Sequence, residues 1–190
     1  MAGSTSSPVP LTLTHQLVGD YTAIRDRLRA EDTPTARREL VRSTSSAVEG
    51  LLWQLKELIG RDAWRFSQLS PHQRAALAEE SYSVDERGVV RTQPRFLPTA
   101  TSIRLVANIV QKYRPAYSLD FSHAGWQCLK DAIEARNRIM HPKALKDLDV
   151  SDEDIASCDR GFAWFLAFVI EVMREHVGHW ESLVPKTPEV

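Results

Sequence analysis

Cysteine is scarce in this chain: two residues in 190, Cys128 and Cys158. They fall on separate predicted helices, at a spacing that suits neither a disulfide framework nor a zinc site, so a reducing compartment is expected. Net charge is also nearly absent, at −1. A chain this close to neutral does not coat nucleic acid, so contact with nucleic acid would have to be a local patch. No glycine-rich phosphate loop, Walker motif or dinucleotide fingerprint is present. No Ser, Cys and His fall into a recognisable nucleophile arrangement. The apolar run from Phe162 to Val169 is too short to cross a bilayer, and no membrane partner is expected. The start, Met1 to Pro8, has no basic cluster and no apolar segment, so no secretory leader is expected and a cytoplasmic location follows. His176 and His179 are three apart, but no nearby Cys or Asp completes a ligand set; neither a metal nor a cofactor is expected.

What is present is helical rhythm. The length suits one domain with a real core. Residues 1–10 are Ser/Pro-rich and are expected to be a disordered tail; 11–180 form one helical domain, and 181–190 a loose tail. Leu17, Tyr21, Ile24 and Leu28 predict a helix over 13–31. Thr33-Pro34 opens a second, over 34–60, with Leu40, Ala47, Leu51, Leu55 and Leu58 on its core side and Arg38, Arg42 and Glu49 on another face. Ser70-Pro71 starts a short helix that is expected to end near Tyr82. Val84, Asp85-Glu86-Arg87-Gly88 and Val89-Val90 then read as a small hairpin. Arg87, Arg91 and Arg95 make this the most basic short region. Thr99 or Thr101 is expected to cap a fourth helix that Arg114-Pro115 ends, and Ser122 a fifth. Ser151-Asp-Glu-Asp opens the final helix, over 152–177, which is apolar on nearly all sides and needs more than one neighbour to bury it.

The fifth helix carries the chemistry. At about 100° per residue, Trp126, Leu129, Ile133 and Met140 form one apolar stripe, and Cys128, Ala132, Ala135 and Ile139 a second. Arg136 projects between them and Asn137 falls within the first. His141 follows one turn after Asn137, and Pro142 disfavours helical geometry there, so the helix ends at His141. A guanidinium and an amide on an apolar arc are costly unless paired. One reading is structural: Arg136 on a carboxylate, Asn137 capping backbone, His141 merely terminal. The other is an anion-handling site with an acid/base imidazole. Arg38, Arg42 and Glu49 of the second helix read as a solvated face, with a pairing of Glu49 and Arg136 as the alternative.

Arg136-Asn137-Arg138-Ile139-Met140-His141 resembles the signature of the HEPN superfamily: Arg, a polar residue, a few more, then His, at the end of a helix in a small all-helical domain. The resemblance covers roughly residues 34–177. It implies an all-α antiparallel helical bundle of the HEPN type, here with a small hairpin or loop insertion. It also implies a metal-independent endoribonuclease that works as a homodimer. In that reading Arg136, Asn137 and His141 are catalytic, and Arg138 and Lys143 hold flanking phosphates of an RNA substrate. A toxin or phage-defence setting, with an antitoxin or regulatory protein as a further partner, belongs to the same resemblance. Other members of the superfamily are non-catalytic modules that bind a nucleotide, an RNA or a protein, and this is the alternative. One branch, the toxins encoded beside nucleotidyltransferase antitoxins, carries Tyr two residues after the His. Here that position is Lys143, so regulation by tyrosine modification is not expected.

Overall fold

In the computed structural model, the backbone is described for residues 11–65, 69–115 and 117–183. Among these residues the chain is mostly helical, with six α-helices and one two-stranded sheet. In order they are α1 (Leu11–Ala30), α2 (Pro34–Arg65), α3 (Pro71–Leu77), β1 (Glu80–Val84), β2 (Val90–Pro94), α4 (Thr99–Tyr113), α5 (Ala124–Met140) and α6 (Asp152–Leu183). A single 3-10 turn, Leu145–Leu148, lies between α5 and α6. No described helix is long and apolar enough to cross a membrane.

Antiparallel pairs build the bundle. Leu17 of α1 lies against Gly50 of α2, while Arg27 near the end of α1 pairs with Glu39 near the start of α2. α5 and α6 run antiparallel as well: Gly125 faces Trp164, Leu129 faces Gly161, and Arg138 faces Asp154. A Cβ on Gly161 would stand 2.6 Å from the Leu129 backbone, so glycine is what lets these two backbones approach. The core is formed by Leu40, Leu51 and Leu55 of α2, Ile103, Val106 and Val110 of α4, Trp126 and Leu129 of α5, and Phe162, Phe165 and Val169 of α6. A continuous apolar stripe on each helix explains this, since such stripes gain about 25 cal/mol for each Å² removed from water. At the N-terminal end of α5 the Phe121 ring meets Trp126 edge-on at 5.0 Å, Trp126 lies 5.5 Å from Trp164, and Arg104 of α4 sits 4.4 Å from the Phe121 ring centre. This cluster anchors α5 at one end and leaves its other end to project the motif. Across the bundle, Arg25 grips both oxygens of Asp159 at 2.5 and 2.6 Å, and the Tyr21 hydroxyl donates to the same carboxylate at 2.7 Å, joining α1 to α6.

Several element ends differ from the sequence expectation. α2 continues through Gly60 to Arg65. α3 stops at Leu77 instead of reaching Tyr82, because Glu79 takes a left-handed conformation (φ 54°) and its carboxylate is held by Lys56 at 2.6 Å. The chain then turns into the expected hairpin, which is longer than predicted, with Glu80 opposite Pro94 and Val84 opposite Val90. Its turn is closed by Asp85, whose carboxylate accepts the backbone N–H groups of Arg87 and Val89, and by Gly88 at φ 77°. Neither Thr99 nor Thr101 caps α4, whose N-cap is Pro98. Ser122 does not cap α5: its hydroxyl is bound to Asp120, and His123 accepts the Gly125 N–H at 3.0 Å instead. Ser151 does cap α6, reciprocally with Asp154. Met140, expected on a core stripe, is 44% exposed, because α2 and α6 cover only the stripe of Ala132, Ala135 and Ile139 at this end of α5.

Candidate active site at the end of the motif helix

α5 ends as the Asn137–Pro142 spacing demands. His141 leaves helical geometry (φ −128°, ψ 54°), while its N–H still donates to the Asn137 carbonyl at 3.1 Å. Pro142 then directs the chain into the 3-10 turn. The Asp147 carboxylate accepts the N–H groups of Lys143 and Ala144 at 2.8 and 2.9 Å, and these bonds hold its carboxyl below the usual range. The imidazole of His141 is therefore presented on the surface by a fixed turn.

Arg136 is placed differently. It lines a cleft of about 200 Å³ walled by α2, α5 and the irregular segment that leads into α4. From α2 come Ser45, Val48 and Glu49, from α5 Ile133, Arg136 and Asn137, and from the third wall Leu97, Pro98 and Thr99. Glu49 reaches Arg136 only loosely, with Oε1 3.8 Å from Nη2. Arg136 Nη1 donates to Asn137 Oδ1 at 3.2 Å. An amide oxygen and a loosely held, half-exposed carboxylate do not saturate a guanidinium, which offers five N–H donors. α4 starts at this wall with no side-chain cap, so the positive end of a 15-residue helix borders the same cleft.

The remaining sequence candidates separate. Arg138 is tied to α6: it donates to the Asp149 carbonyl and, at 2.7 Å, to Asp154. Lys143 is exposed, and no partner of its ammonium is found among the described residues. The structure thus joins Arg136, Asn137 and Glu49 at one cleft and leaves His141 outside the residues that line it. Sequence reasoning missed Ser45 and the 97–99 wall. Ser45 lies one turn from Glu49 on the same helix face, a signal that was available, whereas the arrival of residues 97–99 depends on where the hairpin folds back. The side chains of His176 and His179 lie outside the described residues. Among the described residues, no group of three or more His, Cys, Asp or Glu side chains is placed to hold a metal ion. Cys158 is buried between α5 and α6, where loss of water pushes its thiol up to about 12.

Compared with protein-family models, with curated proteins and with solved structures, the chain finds no match.

Proposed function

We propose that this protein is a HEPN-type, metal-independent endoribonuclease that cleaves RNA through the substrate's own 2′-hydroxyl and works as a homodimer. The observation that carries this reading is the under-satisfied Arg136 in a cleft at the end of the helix that presents His141. RNA brings its nucleophile with it. Cleavage then needs a base near the 2′-oxygen, a cation on the developing phosphorane, and a proton for the leaving 5′-oxygen. His141 is assigned the proton transfers, and Arg136 the phosphate, since its planar fork bonds two oxygens and stays charged. Asn137 orients Arg136 through the bond they share.

In a straight helix, positions 136 and 141 stand about 140° apart around the axis. A two-fold pairing that turns His141 of a second copy toward the cleft brings both groups to one phosphorus. The exposed Met140 and Leu145, which flank His141, supply apolar surface for such a pairing. One observation favours the rival reading, a binding module without catalysis: His141 does not line the cleft of its own chain.

The test is purified protein incubated with total RNA and with tRNA in EDTA, beside His141→Ala, with light scattering on the same samples. The expected result is cutting by the wild-type dimer and none by the variant. Binding without cutting, or a monomer at micromolar concentration, supports the rival.

A further inference from the structure

Beyond the motif, the cations around the cleft are set out along α2. Lys56 binds the Glu79 carboxylate at 2.6 Å, and the Glu79 carbonyl accepts the Arg95 N–H at 2.6 Å, which fixes the base of the hairpin at that level of the helix. About two turns toward the N-terminus, Glu49 and Ser45 line the cleft. Further on, Arg38 donates to the Leu148 carbonyl at 3.4 Å, which fixes the 3-10 turn after His141. Residues 38, 42, 45 and 49 share one helix face. Arg42 therefore stands between the cleft and the 3-10 turn that follows His141. It is exposed, and no partner for its guanidinium is found among the described residues.

The hairpin side mirrors this. Arg95 is exposed, and its guanidinium has no partner among the described residues. The carboxylates at the hairpin base are engaged: Glu79 by Lys56 and Glu80 by the Tyr82 hydroxyl. Phe96, next in the chain, is 81% exposed, and Leu97 after it lines the cleft. The order along α2 is a free cation, the cleft with Arg136, then a free cation with a bare aromatic ring. From Arg42 to Lys56 is about 21 Å of helix, a span of several nucleotides.

We propose that an unpaired RNA strand lies along α2 across the cleft, with Arg42 holding a phosphate on the His141 side and Arg95 and Phe96 holding a phosphate and a base on the hairpin side. This rests on the endoribonuclease reading and adds the residues that hold the strand on either side of the cleft. A ring stacks only on a base whose face is free, which a duplex does not offer. The hairpin then acts as a substrate arm, and the strand emerging from the cleft meets it first.

The test uses the full chain and a 2′-O-methyl oligoribonucleotide of mixed sequence, which has no free 2′-hydroxyl, with binding read by fluorescence anisotropy over a salt series. Wild type should bind the single strand at least about 10-fold more tightly than the same sequence as a duplex. Phe96→Ala should lose roughly 10-fold or more, the worth of one base–aromatic stack, and Phe96→Tyr should retain binding. Arg42→Ala and Arg95→Ala should each flatten the slope of log affinity against log salt by about 0.7. Unchanged binding in all three alanine variants, equal binding of the duplex, or conversion of a dimer to a monomer by Phe96→Ala would overturn the proposal. Failure of the nuclease reading shows differently: the strand binds with this dependence on Arg42, Arg95 and Phe96, yet unmodified RNA stays uncut.

Discussion

Arg136 and Arg138 are two residues apart on one helix, and the structure treats them in opposite ways. Arg138 meets Asp154 at 2.7 Å and the Asp149 carbonyl as well, in a network that also caps α6 through Ser151. Among the described residues, Arg136 meets Glu49 at 3.8 Å and only its own neighbour Asn137 within hydrogen-bond reach. One guanidinium closes a helix junction, and the other faces a cleft with much of its bonding capacity unspent. The motif is thus divided by helix rotation into a structural side and an available side. A sequence pattern treats the two arginines alike, whereas the partners that fold onto each do not.

That contrast can be broken from either side. The largest effects belong to the available side. His141→Ala should lower cleavage by roughly 10²–10⁴-fold through lost proton transfer. Arg136→Ala should lower it by about 10²–10³-fold through lost charge stabilisation. Both variants should melt within a few degrees of wild type; a large drop in melting temperature for either would place Arg136 or His141 on the structural side. Gly161→Ala tests the helix junction itself. Its Cβ would meet the Leu129 backbone at 2.6 Å, with no flexible side chain to yield, so a loss of about 1–3 kcal/mol is expected in denaturant unfolding. Arg138→Ala should show the reverse of Arg136→Ala: a loss of about 1 kcal/mol, modest because the pair is partly exposed, with cleavage changed little.

The smallest effect is with pH. Backbone N–H groups of Lys143 and Ala144 hold the Asp147 carboxyl below its ordinary range. A depressed folded pKa contributes stability above the ordinary carboxylate value, near 4, and that contribution is lost as pH falls through the folded value. The protection of the Lys143 and Ala144 amides, measured against the intrinsic exchange rate at each pH, should therefore fall below about pH 4, before the protection of α5 is lost. Equal loss at both would mean that the turn is not held by Asp147.

Most of the helical framework was legible because the chain's stripes match its burial. Tyr21 and Leu28, and Leu40, Leu51 and Leu55, are buried as their spacing requires. Pro34, Ser151 and Pro142 marked element ends correctly, each through a local effect on backbone geometry or on first-turn donors. The misses are tertiary. Nothing local stops α3 at Leu77: the left-handed Glu79 is held from outside, by Lys56. The hydroxyl of Ser122 was taken by Asp120, a competition that residue type alone does not decide. At the candidate site, the approach of Glu49 to Arg136 was legible only as the alternative to a solvated face, because helix rotation alone does not say which neighbour a polar face meets. The third wall, residues 97–99, was not, because it reaches the cleft only after the chain has turned through the hairpin. Met140 shows the limit of periodicity: a stripe states which residues share a face, not where the covering helices end.

In the proposed reaction Arg136 and His141 act on a substrate that supplies its own nucleophile. The decisive substrate is an RNA oligonucleotide carrying a single 2′-deoxy sugar immediately 5′ of a mapped cut site. Cutting should stop at that bond alone, and elsewhere should leave a 2′,3′-cyclic phosphate and a 5′-hydroxyl. Continued cutting at the deoxy position, or products bearing a 5′-phosphate, would contradict it.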